Sequence, residues 1–141
     1  MSKLKENYKS LQEGLAALSE SLNRFQKCKK INDEKLCDIT VDNVIKLFER
    51  SIDLTWEYLK LFLEKTKDVE LQCNGAKSTI KCALSSEILT KDEAKKAIEM
   101  LDSRILLSLK ETEKEDAEER IKKLLPEYLL LMKTIVEKTK P

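Results

Sequence analysis

Histidine is absent from this chain, and the gap closes off a great deal of chemistry. Imidazole is the side chain whose ordinary titration falls near neutral pH, so the commonest general acid and base is missing. The Ser-His and Cys-His nucleophile pairs go with it, as do His-containing metal sites and the Glu-x-x-His ligand sets of di-metal bundles. Glycine is nearly absent too: two residues cannot build a Gly-rich phosphate cradle, and no G-x-x-x-x-G-K-[ST] occurs. Self-contained catalysis and a bound cofactor are therefore not expected. No charge of one sign accumulates either, since 27 basic residues meet 26 acidic ones. Nucleic acid, membrane and acidic substrates are not favoured, and a polar ligand must be held locally. No apolar run reaches the roughly 18 residues of a membrane span. The opening MSKLKENYK has no signal-peptide core, which predicts a cytoplasmic protein.

In that compartment thiols stay reduced, so the four cysteines are expected as ordinary small side chains, buried or partly exposed, and not as a disulfide framework. Cys28 and Cys37 flank one connection, Cys73 and Cys82 the next. Both spacings are C-x8-C, unlike the short pairs of structural zinc sites, and no metal is expected.

What the chain does have is charge, 38% of its residues, with Leu, Lys and Glu dominant. With only two prolines, this composition predicts long helices and short connections, an all-α fold. The stretch Thr40 to Lys67 carries Val41, Ile45, Phe48, Ile52, Thr55, Leu59 and Phe62 at steps of four and three, one helical face. Val44, Leu47, Leu54, Trp56, Leu61 and Leu63 widen that face, so this helix should be central and buried against several neighbours. A narrower seam, Leu4, Tyr8, Leu11, Leu15, Leu18, Leu22 and Phe25, predicts an outer helix from about Lys3 to Lys27. Cys28 to Ile39 reads as a connection broken at Asn32 and Asp33, with Asp38 or Thr40 capping the next helix.

Beyond Lys67, Asn74-Gly75 marks a reversal. Ala76 to Ser86 reads as a short helix with Ile80, Ala83 and Leu84 inward. A capping box at Thr90 to Glu93 opens a helix to about Leu109, with Ala94, Ile98, Leu101 and Ile105 as its seam. A second box at Thr112 to Glu115 opens the last helix, seamed by Ala117, Ile121, Leu124, Tyr128, Leu131 and Ile135 and kinked, not ended, by Pro126. The whole predicts one domain over residues 1–141: an up-and-down four-helix bundle with an additional short helix between the second and third long helices.

On the central helix, Glu49, Asp53 and Glu57 step by four and form an acidic stripe, with the lone Trp56 near its lower end. The segment Phe48-Glu49-Arg50-Ser51-Ile52-Asp53-Leu54-Thr55-Trp56-Glu57-Tyr58-Leu59-Lys60 resembles the F-E-x-[ST]-x-[DE]-L-x-W-K-x-L-K core helix of the nucleotidyltransferase substrate-binding protein family. Three further pieces follow in the family's order. Ala83 to Leu89 is similar to its A-F-x-x-G-L-I, Met100 to Arg104 to its M-L-x-D-R, and Leu125 to Leu129 to its P-x-Y-L. The resemblance covers roughly Leu36 to Lys138. It implies a bundle of the HEPN type, a homodimer, acting with a small separate nucleotidyltransferase, in some relatives as a toxin-antitoxin-like pair. The bundle would help hold the acceptor while the partner carries the nucleotide. Other relatives are ribonuclease toxins with an Arg-x4-6-His motif. Here Arg104 matches that motif, but Ile105 and Leu109 stand where Asn and His are usual, so no imidazole serves RNA cleavage.

Glu49, Asp53, Trp56, Glu57 and Arg104 are thus the candidate substrate- or partner-binding residues. Each has a structural alternative: Glu49 and Asp53 beside Arg104 could be an ion pair that sets helix register, and Trp56 a packing residue whose N–H finds one acceptor. Tyr58 and Tyr128 are expected at the core edge with wet tips. The surplus apolar block Ile105-Leu106-Leu107 with Leu109 predicts a two-fold homodimer.

Overall fold

Each apolar side of the central stretch meets a different helix. The computed structural model describes residues 2–66, 75–108 and 114–141. They form α1 (Ser2–Ile31), α2 (Glu34–Thr66), α3 (Ala76–Ser85), α4 (Lys91–Ser108) and α5 (Lys114–Lys138). α2 packs against all four of the others, α1 lies on α2 and α5, and α3 bridges α2 to α4. The result is the expected bundle of four long helices with the short α3 between the second and third, and no strand among the described residues. Val44, Phe48, Ile52, Leu59 and Leu63 of α2 are fully buried, each stabilising by roughly 1.5–3 kcal/mol relative to exposure. α1 comes close to α2 at Gly14, where an added Cβ would lie 2.8 Å from Leu54 Cδ1 and Ser51 Oγ donates to the Gly14 carbonyl at 3.4 Å.

The first connection is far shorter than expected. α1 continues to Ile31 and α2 starts at Glu34, so only Asn32 and Asp33 lie between. Asn32 takes a left-handed φ of 55°, which Asn tolerates. The Asp33 carboxylate accepts the Leu36 N–H at 3.1 Å, and its carbonyl the Cys37 N–H at 3.0 Å. These polar residues end one helix and cap the next, so the cap is Asp33 and not Asp38 or Thr40. Leu36 and Ile39 are exposed, as is Ile31.

The cysteines are also corrected. Cys28 and Cys37 stand symmetrically about the two-residue turn with Cα atoms 5.4 Å apart and form a disulfide, a separation ordinary for such a bond. Cys82 is disulfide-bonded as well, leaving no free cysteine among the described residues.

α3 opens at Gly75, whose φ of 96° suits only glycine; Asn74 lies outside the described residues. Leu84 is partly exposed and not inward. The helix closes with Ser86 N–H to Cys82 O and Ile88 N–H to Ala83 O, both 2.9 Å, which sends buried Ile88 and Leu89 back to the core. That closure puts Glu87 at a φ of 63°. The first capping box is present: Thr90 N–H donates to Glu93 Oε1 at 2.9 Å and Glu93 N–H to Thr90 Oγ1 at 3.1 Å. Lys138 Nζ reaches the same carboxylate at 2.6 Å. Burial opposes ionisation of Glu93, but the bonds from Lys138 and Thr90 prevail and hold its carboxyl below the usual range. The second box begins at Thr112, and α4's expected end at Leu109 falls nearby, both outside the described residues.

α4 is rotated from its expected seam. Ala94, Ala97, Met100, Leu101, Ser103 and Leu107 are buried, whereas Ile98 and Ile105 are 38% and 61% exposed. The buried face remains mainly apolar, and the rotation adds the polar contacts described below. α5 runs through Pro126 without interruption, although that residue cannot donate to the Lys122 carbonyl.

Tyr58 is fully buried, and its hydroxyl donates to the Thr139 carbonyl just beyond α5. Burial pushes its phenol up from the ordinary 10 to about 12, with the Thr139 bond opposing and Tyr8 adding a little. A raised folded-state pKa means stability that is full below pH 10 and lost as pH climbs from about 10 to about 12. Tyr58→Phe should cost about 1–3 kcal/mol at neutral pH by leaving that carbonyl unpaired, and should flatten the alkaline loss, read as urea midpoints on either side of about pH 10. Glu87→Gly should raise stability by about 1 kcal/mol by removing the left-handed cost of a side chain, read as a higher melting temperature.

Candidate functional site

One polar seam runs along α2 where α4 approaches it. Spacing of four keeps Glu49, Asp53 and Glu57 on one face, and each directly follows a buried residue, Phe48, Ile52 and Trp56. The acids therefore stand at the margin of the core. Glu49 is half-buried, while Asp53 and Glu57 are exposed. From α4, Arg104 meets Asp53 with both guanidinium nitrogens, Nη1 to Oδ1 at 2.5 Å and Nη2 to Oδ2 at 3.2 Å. Their side chains are 30% and 53% exposed, so the pair is a rim feature reachable from solvent. Neither Glu49 nor Glu57 joins a salt bridge among the described residues.

The frame under this pair is rigid. Ser103, next to Arg104, hydrogen-bonds the Tyr128 hydroxyl of α5 at 3.0 Å in the core. The Tyr128 ring stacks on Phe48, centroids 6.0 Å apart and planes within 13°, and Phe48 precedes Glu49. Three helices thus fix the rotation of α4 and aim Arg104 at α2. Tyr58 and Tyr128 are buried with paired hydroxyls, not wet at the core edge as expected. Trp56 sits beneath the face, 5% exposed, and its Nε1 has no acceptor among the described residues. It contributes packing, without the expected hydrogen bond.

Of the five candidates, the structure joins Asp53 and Arg104 directly, sets Glu49 and Glu57 one turn to either side, and buries Trp56. Ser103 and Tyr128 position the pair, a role the sequence does not announce, because a serine between apolar residues carries no such signal. No group of three or more Cys, Asp and Glu side chains that could hold a metal comes together among the described residues. The seam offers fixed charge and hydrogen-bond capacity. It suits a ligand bearing amines or hydroxyls against the carboxylates, and supplies no imidazole for proton transfer.

A family model described as "Nucleotidyltransferase substrate binding protein like" matches residues 6–140. A solved crystal structure of a protein from Thermus thermophilus is similar in fold, with a TM-score of 0.74 and 24% identity over 93% of this chain and 99% of the other. No curated protein matches the chain.

If the pair serves the surface more than the fold, its loss should be mild. Arg104→Ala and Asp53→Ala should each shift stability by no more than about 1 kcal/mol, with a double-mutant coupling of similar size that fades in salt. Ser103→Ala, leaving the Tyr128 hydroxyl buried and unpaired, should cost about 1–3 kcal/mol. Urea titration of the variants measures both.

Proposed function

Because the chain belongs to the nucleotidyltransferase substrate binding protein like family, we propose that it is a non-catalytic subunit that holds the acceptor for a small separate nucleotidyltransferase. The observation that carries this reading is the half-exposed Asp53–Arg104 pair, flanked by two acids that join no salt bridge among the described residues. A structural ion pair needs one carboxylate per guanidinium; a binding face has carboxylates to spare. The spare acids favour an acceptor, or a partner segment, with cationic or hydroxyl donors, and the partner enzyme brings the nucleotide and metal-binding groups. Trp56 fixes the height of the seam from below.

The subunit pairs with a second copy. Ile98 and Ile105, seven residues apart and so on one side of α4, remain exposed, as does Leu106, and a two-fold contact is the commonest way to cover such a surface. Sedimentation at micromolar concentration should give a dimer, and Ile105→Glu should dissociate it; a wild-type monomer would remove this part.

Ribonuclease activity of the HEPN toxin type is disfavoured, since both terminal nitrogens of Arg104 are engaged by Asp53 and the chain has no histidine. Incubation with RNA should show negligible cleavage, the same for wild type and Arg104→Ala. Co-purification with a small nucleotidyltransferase tests the main reading. Asp53→Lys should weaken that enzyme's use of its acceptor at least tenfold, equivalent to roughly 1.4 kcal/mol, with the bundle still folded. Failure to associate with any such enzyme would sink it.

A further inference from the structure

The tip of the α1–α2 hairpin contains a second chemically distinctive place. A cavity of about 250 Å³ opens there, walled by both halves of the Cys28–Cys37 disulfide together with Lys29, Glu34, Glu115 and Glu118. The bond is shielded from bulk solvent, Cys28 being fully buried and Cys37 4% exposed, yet it forms the wall of a space large enough for a small molecule. Beside it, Lys29 is paired with Glu118 of α5, tying the tip to the rest of the bundle. A disulfide whose only purpose is to brace a core has no need of a cavity against it.

We propose that Cys28–Cys37 is a reversible redox clamp, opened by small-molecule thiols that enter this cavity. The incoming thiolate attacks Sγ of Cys37, the less deeply buried of the two residues, and breaks the Cys28–Cys37 bond, so that Cys28 leaves as a thiolate in the cavity. A second small thiolate attacks the external sulfur of the mixed disulfide and releases Cys37. Two electrons pass to the protein, the two thiolates take protons from water, and the small thiol leaves as its own disulfide.

Opening the clamp acts on a particular surface. Between and beyond the two cysteines stand Ile31, Leu36 and Ile39, exposed at 64%, 41% and 69%. With the bond closed they are presented on two helices joined by a two-residue turn. With it open, the turn keeps the Asp33 cap, its own backbone bonds and the Lys29–Glu118 pair but loses its covalent tie, and α1's last turn and α2's first turns loosen. The redox state thereby sets the order of this tip, which displays three large apolar side chains, independently of the acidic seam.

The test uses the full oxidised chain with dithiothreitol and with reduced glutathione, in native buffer. Mass spectrometry with peptide mapping separates Cys28 and Cys37 from Cys82, and hydrogen exchange follows the backbone. Millimolar thiol should open the bond without denaturant and raise exchange at least tenfold across residues 29–39, with helical circular dichroism unchanged. The double variant Cys28→Ser with Cys37→Ser should show the raised exchange with no thiol added and no response to it. A bond that resists thiols until urea unfolds the chain would overturn the proposal. So would opening that leaves exchange at 29–39 unaltered, or that unfolds the whole bundle.

Discussion

A helix enclosed by four others can carry charge only in the gaps its neighbours leave, and α2 is under that constraint along most of its length. Its acids at 49, 53 and 57 alternate with core residues at 48, 52 and 56, so a small rotation of α2 would drive a carboxylate into apolar surroundings at a cost of several kcal/mol. The seam and the core are two faces of one packing solution. Arg104 joins because Ser103 beside it is turned to the interior, where the Tyr128 hydroxyl holds it.

The parts of the architecture that rest on volume are legible in the chain. Leu4 to Phe25, Val41 to Phe62 and Ala117 to Ile135 repeat at helical spacing, and burial follows that spacing closely because nothing but apolar area decides it. α4 turns a neighbouring face inward, with Met100, Leu101 and Leu107 buried and Ser103 bonded to the Tyr128 hydroxyl, while Arg104 finds Asp53. Periodicity cannot register pairings between residues 25 and 51 positions apart. At the first turn the ambiguity is chemical. Asn32 and Asp33 can break a helix or cap one, and only the Asp33 bond to the Leu36 N–H distinguishes the two. The acidic stripe can be read from spacing alone, whereas Arg104 enters through a short motif and its contact through tertiary packing. The cysteines mislead because compartment chemistry and geometry point opposite ways: positions 28 and 37 lie on either side of a turn that the chain itself announces.

The two distinctive places in the molecule differ in kind. On the seam, charges are held by a rigid aromatic and hydroxyl frame and are partly open to solvent, conditions for selective grip with little strain on the fold. At the hairpin tip, apolar side chains face outward and their order depends on a covalent bond. One site is preorganised by packing, the other by sulfur chemistry, and they lie on different helix pairs, α2 with α4 and α1 with α2.

The end of α5 has a bearing on how the chain assembles. Tyr8 of α1 donates to the Val136 carbonyl at 3.2 Å and Tyr58 of α2 to that of Thr139, partners separated by 128 and 81 positions. During synthesis the α1–α2 hairpin has its own turn and its own packing early on, but both tyrosines must wait, hydroxyls hydrated, until the final helix has left the ribosome. Long-range closures of this sort slow folding relative to a bundle built from local contacts. A nascent hairpin with aromatic groups still open is the species that would engage a chaperone.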